Sequence, residues 1–338
     1  MSQAQKKDRL RVSFLHIEPE VGNIHHNREL IELGIQVAAD HGSHWVITPE
    51  LCIPGYLFER NIGTDWIQVQ PDEWMTSLCE TVKKHQITLF MSYPERDPIS
   101  ESLFNTVFVI HSSGNIIGRH RKIKTLKGPE GWSSPGTECM PIECDGISVG
   151  ILVCADAYKG EISNLLKTQG AQILVSPSSW GPGGGGPDGE WERRTEETGL
   201  PILVCNRTGK ESDDLDMLEA DSVVAKNGVR VLSGSFKTST VLTFDLNLST
   251  MTPESEDYII LDNEEKMPVI IWKDKNVVRD LKISRIMKKA IQTVCEEKYG
   301  RGNFFIDRFQ SGEETHLTWY CRPNMNPELI EERSKNSS

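Results

Sequence analysis

Cys154 stands where an apolar run ends. Residues 147–153 read I-S-V-G-I-L-V, broken only by Ser148 and Gly150, and C-A-D-A-Y-K-G-E follows. A run that stops at a cysteine and turns at once into polar residues predicts a strand-to-helix elbow. Such an elbow presents a side chain at the mouth of a sheet, where a thiolate could attack an electrophilic carbon. The other reading of a single cysteine is a buried, inert thiol, which is the commoner fate. Two further residues fall at or just beyond the ends of candidate strands. Glu50 closes W-V-I-T-P-E, and Lys122 closes I-I-G-R-H-R-K. Ligands of open α/β sheets collect at such strand ends. The three chemistries complement one another. A carboxylate in a dry pocket has a raised pKa and can take a thiol proton. An ammonium can stabilise a thiolate or a developing oxyanion. Taken singly, a glutamate such as Glu50 is more often a helix cap or a solvated residue, a lysine such as Lys122 is more often part of a solvated basic strand, and spacing alone does not make the three converge.

The elements that would have to position them follow from periodicity. Strands are predicted at Arg11–Ile17, Trp45–Thr48, Ile87–Ser92, Asn105–His111, Ile116–Lys122, Ile173–Ser176, Pro201–Asn206 and Val241–Asp245. Helices are predicted at Asn27–Asp40, capped by Asn23 and carrying Leu30, Ile31, Leu33, Ile35 and Val37, then at Glu73–Lys84, Glu161–Thr168 and Trp191–Thr198. Asn227-Gly228 is a two-residue turn signal between Glu219–Val224 and Gly228–Ser233, hence a hairpin. Strands alternating with helices, with hairpins mixed in, predict a layered α/β domain with mixed sheets. From about Met251 the chain changes. P-E-S-E-D-Y and D-N-E-E-K read as acidic loops, and residues 277–299 carry a 3–4 periodic apolar stripe, an amphipathic helix expected to pack on the main domain or on a sister subunit. The division expected is residues 8–250 and an extension over 251–338.

Bulk properties narrow the class. The chain has 338 residues with 37 Lys+Arg against 49 Asp+Glu, a formal charge of -12. That balance argues against a broad nucleic-acid surface. No run of 18 apolar residues suggests a membrane span, and the first residues lack the apolar core of a signal peptide. Eight cysteines without dense spacing fit reduced thiols, so a cytoplasmic location is expected. Cys139 and Cys144 do not form a C-x-x-C knuckle, and His25-His26 and His41…His44 lack a metal-binding frame, so no metal or other cofactor is expected.

Three blocks of the sequence resemble the nitrilase superfamily of carbon–nitrogen hydrolases, in order and across most of residues 10–245. W-V-I-T-P-E-L-C-I-P-G-Y resembles the block with the general-base glutamate, which implies that role for Glu50. N-T-V-F-V-I-H-S-S-G-N-I-I-G-R-H-R-K-I-K-T-L resembles the lysine block and points to Lys122. G-I-L-V-C-A-D-A-Y-K-G-E resembles the nucleophile block and points to Cys154. P-S-S-W and W-E-R-R-T-E-E-T-G-L-P-I-L-V-C-N-R-T-G resemble the later conserved segments. Glu130, in P-E-G-W, lies where many members have a second active-site glutamate. The resemblance implies a four-layer α-β-β-α sandwich, a thioester mechanism on a non-peptide C–N bond, no cofactor, a small amide, carbamoyl or nitrile substrate, and a homodimer or higher homo-oligomer. Four features depart from the family pattern, one of them A-D-S (Ala220–Ser222) in the late hairpin, where a glycine usually precedes the serine. Ala155 follows the nucleophile where many members carry tyrosine, tryptophan or arginine. Lys124 stands where a histidine is usual. Asp156 is more like the amidase and carbamoylase branches than true nitrilases.

Other signals are weaker. Tyr56, Ala155 and Trp180 are candidates for substrate contact, with core packing an equal reading for Trp180 and for Trp191. Arg207 could clamp a carboxylate or form a structural ion pair. G-P-G-G-G-G-P (181–187) lacks the G-K-[S/T] ending of a phosphate loop and reads as a loop or lid at the pocket rim.

Overall fold

The computed structural model describes residues 8–182, 187–213, 215–261, 269–272, 304–311 and 316–323. The chain divides into two compact units, residues 1–254 and 255–338. The predicted helix over 277–299 and residues 183–186 of the glycine-rich loop lie outside the described residues.

The first unit holds two six-stranded sheets. One contains β1 (Arg9–His16), β2 (Trp45–Ile47), β3 (Thr88–Arg96), β4 (Leu103–Ile110), β5 (Ile116–Arg121) and β14 (Thr240–Asn247), in the order β14-β1-β2-β3-β4-β5. The other contains β6 (Ile142–Cys144), β7 (Ile147–Ile151), β8 (Ile173–Pro177), β9 (Ile202–Cys205), β12 (Ser222–Lys226) and β13 (Val229–Gly234), in the order β13-β12-β9-β8-β7-β6. A small hairpin, β10 (Lys210–Ser212) and β11 (Leu215–Asp216), lies between β9 and β12 in the chain. Each sheet has three parallel strands at its centre, β1, β2 and β3 in one and β7, β8 and β9 in the other, with antiparallel strands outside them. β2, β7, β8 and β9 are mostly apolar and fully buried, as strands covered on both faces must be, while β1 and β3 are largely buried but carry polar residues among the apolar ones.

Helices cover the outer faces. α1 (Ile24–Asp40) lies on β1 and β14, beside α3 (Glu73–His85); α2 (Glu59–Ile62) is a single turn. Asn23 caps α1 as expected, its side chain accepting from His26 N, and Leu30, Ile31, Ile35 and Val37 face inward. Leu33 departs from the predicted stripe: it is exposed, and Gly34 takes the inward place, where an added Cβ would lie 3.0 Å from Leu15. α4 (Gly160–Thr168) and α5 (Glu190–Thr198) cover the second sheet. Gly150 lets α4 sit close: a Cβ there would come within 2.9 Å of Leu174 and 3.0 Å of Leu166. The two inner faces lock together through polar contacts as well as apolar ones. Cys205 Sγ on β9 donates to Ile47 O on β2 at 3.0 Å, and His16 on β1 meets Ser222 Oγ on β12 at 2.8 Å. The result is the expected α-β-β-α sandwich.

One expectation is overturned. P-E-S-E-D-Y is not a loop: residues 252–260 form β15 (Thr252–Ile260). The second unit continues β15 with β16 (Val269–Trp272), β17 (Phe304–Ser311) and β18 (His316–Pro323), in the antiparallel order β15-β16-β18-β17. In β15 Glu254 is exposed, Glu256 and Asp257 are half-buried, and Tyr258 and Ile259 are buried, so the charged residues sit in the first part of the strand and the apolar ones near its end.

Candidate active site

Glu50, Lys122 and Cys154 each follow a strand end. Glu50 comes three residues after β2, and the next residue, Leu51, has φ of 50°. Lys122 directly follows β5. Its backbone N–H donates to Asn105 O at 2.8 Å, and its carbonyl accepts from Gly136 N at 2.8 Å. Gly136 must be glycine there, because a Cβ would lie 2.2 Å from Arg121 O. Cys154 opens a short 3-10 turn, Cys154–Tyr158, with φ of 47°. A left-handed backbone costs a non-glycine residue about 1–2 kcal/mol, and such strain gathers at functional sites. The elbow is therefore a tight turn at the cysteine, with α4 beginning six residues later at Gly160.

Three of the predicted residues are in direct contact. Lys122 Nζ donates to Glu50 Oε1 at 2.7 Å and to both oxygens of Glu130 at 2.8 Å, and all three side chains are fully buried. Asn105 Nδ2 bridges the same two carboxylates, at 2.8 Å to Glu50 and 2.9 Å to Glu130. Ser179 N donates to Glu50 Oε2 at 3.2 Å, and Ser179 Oγ to Glu50 O at 2.8 Å. Leu126 N reaches Glu130 Oε2 at 2.9 Å. The Cys154 thiol faces this cluster, close enough to share the fields of Glu50, Lys122 and Glu130 and the N–H of Ser179.

The electrostatics are those of groups withdrawn from water. Burial raises the Glu50 pKa; Lys122 pulls it back down, and Glu130 pushes it up again. Burial also drives the Cys154 thiol well above the usual thiol range, with Glu50 adding to the rise and Lys122 opposing it. Burial alone would lower Lys122, but Glu50, the Cys154 sulfur and Glu130 outweigh it and hold the ammonium above the ordinary lysine range. The resting site thus favours a neutral thiol beside a carboxylate made more basic and a fixed cation.

Tyr56 is buried with its ring 5.9 Å from Lys122 Nζ, and burial together with Glu50 and Glu130 raises its phenol. Ala155 is buried in the turn. Trp180, one residue beyond Ser179, packs edge-on between Tyr158 at 4.7 Å and Trp191 at 5.4 Å. Arg207 is an internal ion pair: fully buried, it bonds Glu211, Thr208 O and Pro19 O, and burial lowers its pKa to about 10. Glu211 also accepts from Tyr56 N at 2.8 Å and Leu57 N at 2.7 Å, so this pair pins the Tyr56 loop. Asn105, Ser179 and Glu211 were not predicted. Asn105 was legible only as a polar residue at the start of an apolar strand. Lys124 takes no part through its side chain, which is exposed; its N–H donates to Asp156.

Among the described residues no group of three or more His, Cys, Asp or Glu gathers as a metal site, and no helix is long and apolar enough to cross a membrane. Two sheets back to back, with a carboxylate, an ammonium and a thiol at their strand ends, define a class of hydrolase. Residues 11–253 match the carbon–nitrogen hydrolase family, and the chain belongs to that family, within the nitrilase superfamily. It is 23% identical over 249 residues to a glutamine-dependent NAD(+) synthetase of Thermotoga maritima, covering 71% of this chain and only 42% of the relative. It is 24% identical over 242 residues to the omega-amidase of Mus musculus, covering 67% of this chain and 85% of the relative. A solved nitrilase-superfamily member of Saccharomyces cerevisiae superposes with a TM-score of 0.65 at 18% identity, covering 74% of this chain and 94% of that one. The chain is a carbon–nitrogen hydrolase.

Proposed function

We propose that the protein hydrolyses a small non-peptide amide or N-carbamoyl compound through a thioester on Cys154. The observation that carries this reading is the buried Glu50–Lys122–Glu130 cluster facing the thiol. Glu50 takes the thiol proton as sulfur bonds the carbonyl carbon and the C=O electron pair moves to oxygen. Lys122 and a backbone N–H near Ala155 stabilise that oxyanion. As the C–N bond breaks, Glu50 returns the proton to the leaving amine or ammonia. Glu50 then deprotonates water, which attacks the thioester; the C–S bond breaks, the acid departs and sulfur regains the proton. The sum is amide plus water giving acid plus amine. Glu130 and Asn105 hold Lys122 and Glu50 in place, and Tyr56, Ala155 and Trp180 contact the substrate.

The similarity to an omega-amidase and the aspartate at position 156 favour amide or carbamoyl substrates over nitriles. Residues 8–250 form the hydrolase domain and 251–338 an extension, and the protein works in the cytoplasm as a homodimer or higher homo-oligomer without a cofactor. The test compares the parent protein with Cys154→Ala across amides, N-carbamoyl compounds and nitriles. Ammonia or amine release confined to the parent supports the reading. Equal release by both contradicts it, and release from nitriles alone makes the enzyme a nitrilase.

A further inference from the structure

Asp156 is buried, and each of its carboxylate oxygens takes two donors. Oδ1 accepts from Ile123 N at 3.1 Å and Lys124 N at 2.7 Å. Oδ2 accepts from Val153 N at 3.0 Å and from His120 Nε2 at 3.0 Å. A carboxylate only accepts, so Nε2 of the buried His120 carries the hydrogen. Every donor stands one or two residues from Lys122 or Cys154: His120 lies on β5, Ile123 and Lys124 lie just beyond its end, and Val153 lies just beyond the end of β7 in the other sheet. Asp156 N also donates to Val153 O at 3.0 Å. Two hydrogen bonds between residues 153 and 156 therefore close the turn that forces Cys154 into its left-handed conformation, while the other carboxylate oxygen grips the chain just past Lys122.

We propose that Asp156, backed by His120, is the positioning residue that holds the Cys154 thiol and the Lys122 ammonium in register across the two sheets. This role rests on the thiol chemistry proposed above. Asp156 is bonded to the backbone beside both groups, and it acts through that backbone. A carboxylate suits this position because four converging N–H donors need two oxygens, and an asparagine would turn an NH2 group against two of them.

The test uses the full-length protein and iodoacetamide, following alkylation of Cys154 by mass spectrometry as pH is varied, beside turnover of simple amides. The groups whose charge the sulfur feels are Glu50, Lys122, Glu130, Tyr56 and Tyr158. Of these only Lys122 favours the thiolate, so drawing it away raises the pH at which alkylation sets in. Asp156→Asn and His120→Leu are expected to move that midpoint up by about one pH unit and slow alkylation about tenfold at neutral pH. His120→Gln, which keeps a donor, stays within a few-fold of the parent. A parent-like midpoint and rate in folded Asp156→Asn overturns the proposal; if that variant does not fold, a parent-like profile in His120→Leu does so. Shifted midpoints in the variants, with a parent protein that turns over no amide, support the positioning role and contradict the hydrolytic reading. A parent-like midpoint in variants that still turn over amides does the reverse.

Discussion

Lys122 is the residue on which the site balances. One ammonium answers two carboxylates, and all three side chains are fully buried. Breaking a buried ion pair from one side costs about 3–5 kcal/mol, because the remaining charge is left uncompensated. Lys122→Met is therefore expected to abolish turnover and to lower stability by about that amount, read by denaturant unfolding beside kinetic assays. Glu50→Gln keeps the shape and removes the base, so turnover falls by about 10²–10⁴-fold. The sign of the pH dependence follows from the raised Glu50 pKa. The base works only when ionised, so kcat/KM falls as pH drops through that raised value. The acid limb of the profile lies above the ordinary carboxylate range, and a limb within that range would contradict the assignment of Glu50.

The elements fix the site's geometry through close backbone approach. At Gly136 the chain lies directly against the end of β5, so Gly136→Ala must displace either the 133–136 segment or Lys122. Overpacking of this kind costs about 1–3 kcal/mol, and turnover is expected to fall further than that stability loss explains. The measurement is kcat beside the unfolding midpoint. Much of this framework is legible in the sequence. The strands that precede Glu50 and Cys154 show as apolar runs with an abrupt polar end, the strand before Lys122 shows as the return from the Ser113-Gly114-Asn115 turn, and Asn23 and Asn227-Gly228 give their cap and turn by local chemistry. Convergence is not legible, because nothing in the spacing of residues 50, 122 and 154 says that two sheets stack back to back. Only the family resemblance supplied that. Asn105 and Ser179 escaped for the same reason: their function is a contact with a residue distant in sequence. The β15 strand escaped because its charge resembles that of a loop, and exposed strand positions accept charge freely.

At the scale of the sandwich, the contact between sheets is partly titratable. His16, at the end of β1, bonds Ser222 of β12, and burial lowers its pKa from 6.5 to about 3. The histidine is neutral in the fold and takes a proton on unfolding below about pH 6.5, so stability falls with pH through that window, down to about pH 3. Linkage puts the loss between pH 7 and pH 5 at about 2 kcal/mol from this group alone. Unfolding of the parent and of His16→Gln at both pH values checks it: the variant is expected to show a shallower fall, and an equal slope removes His16 from the account.

The central claim is that Cys154 carries the acyl group. The direct measurement is intact and peptide mass spectrometry of the protein quenched during turnover of an amide mixture. The account predicts an acyl mass on the peptide containing Cys154, absent in Cys154→Ala and short-lived in the parent because Glu50 activates the water that releases it. Turnover of the same amides with no adduct on Cys154, or with the acyl group on another residue, contradicts it.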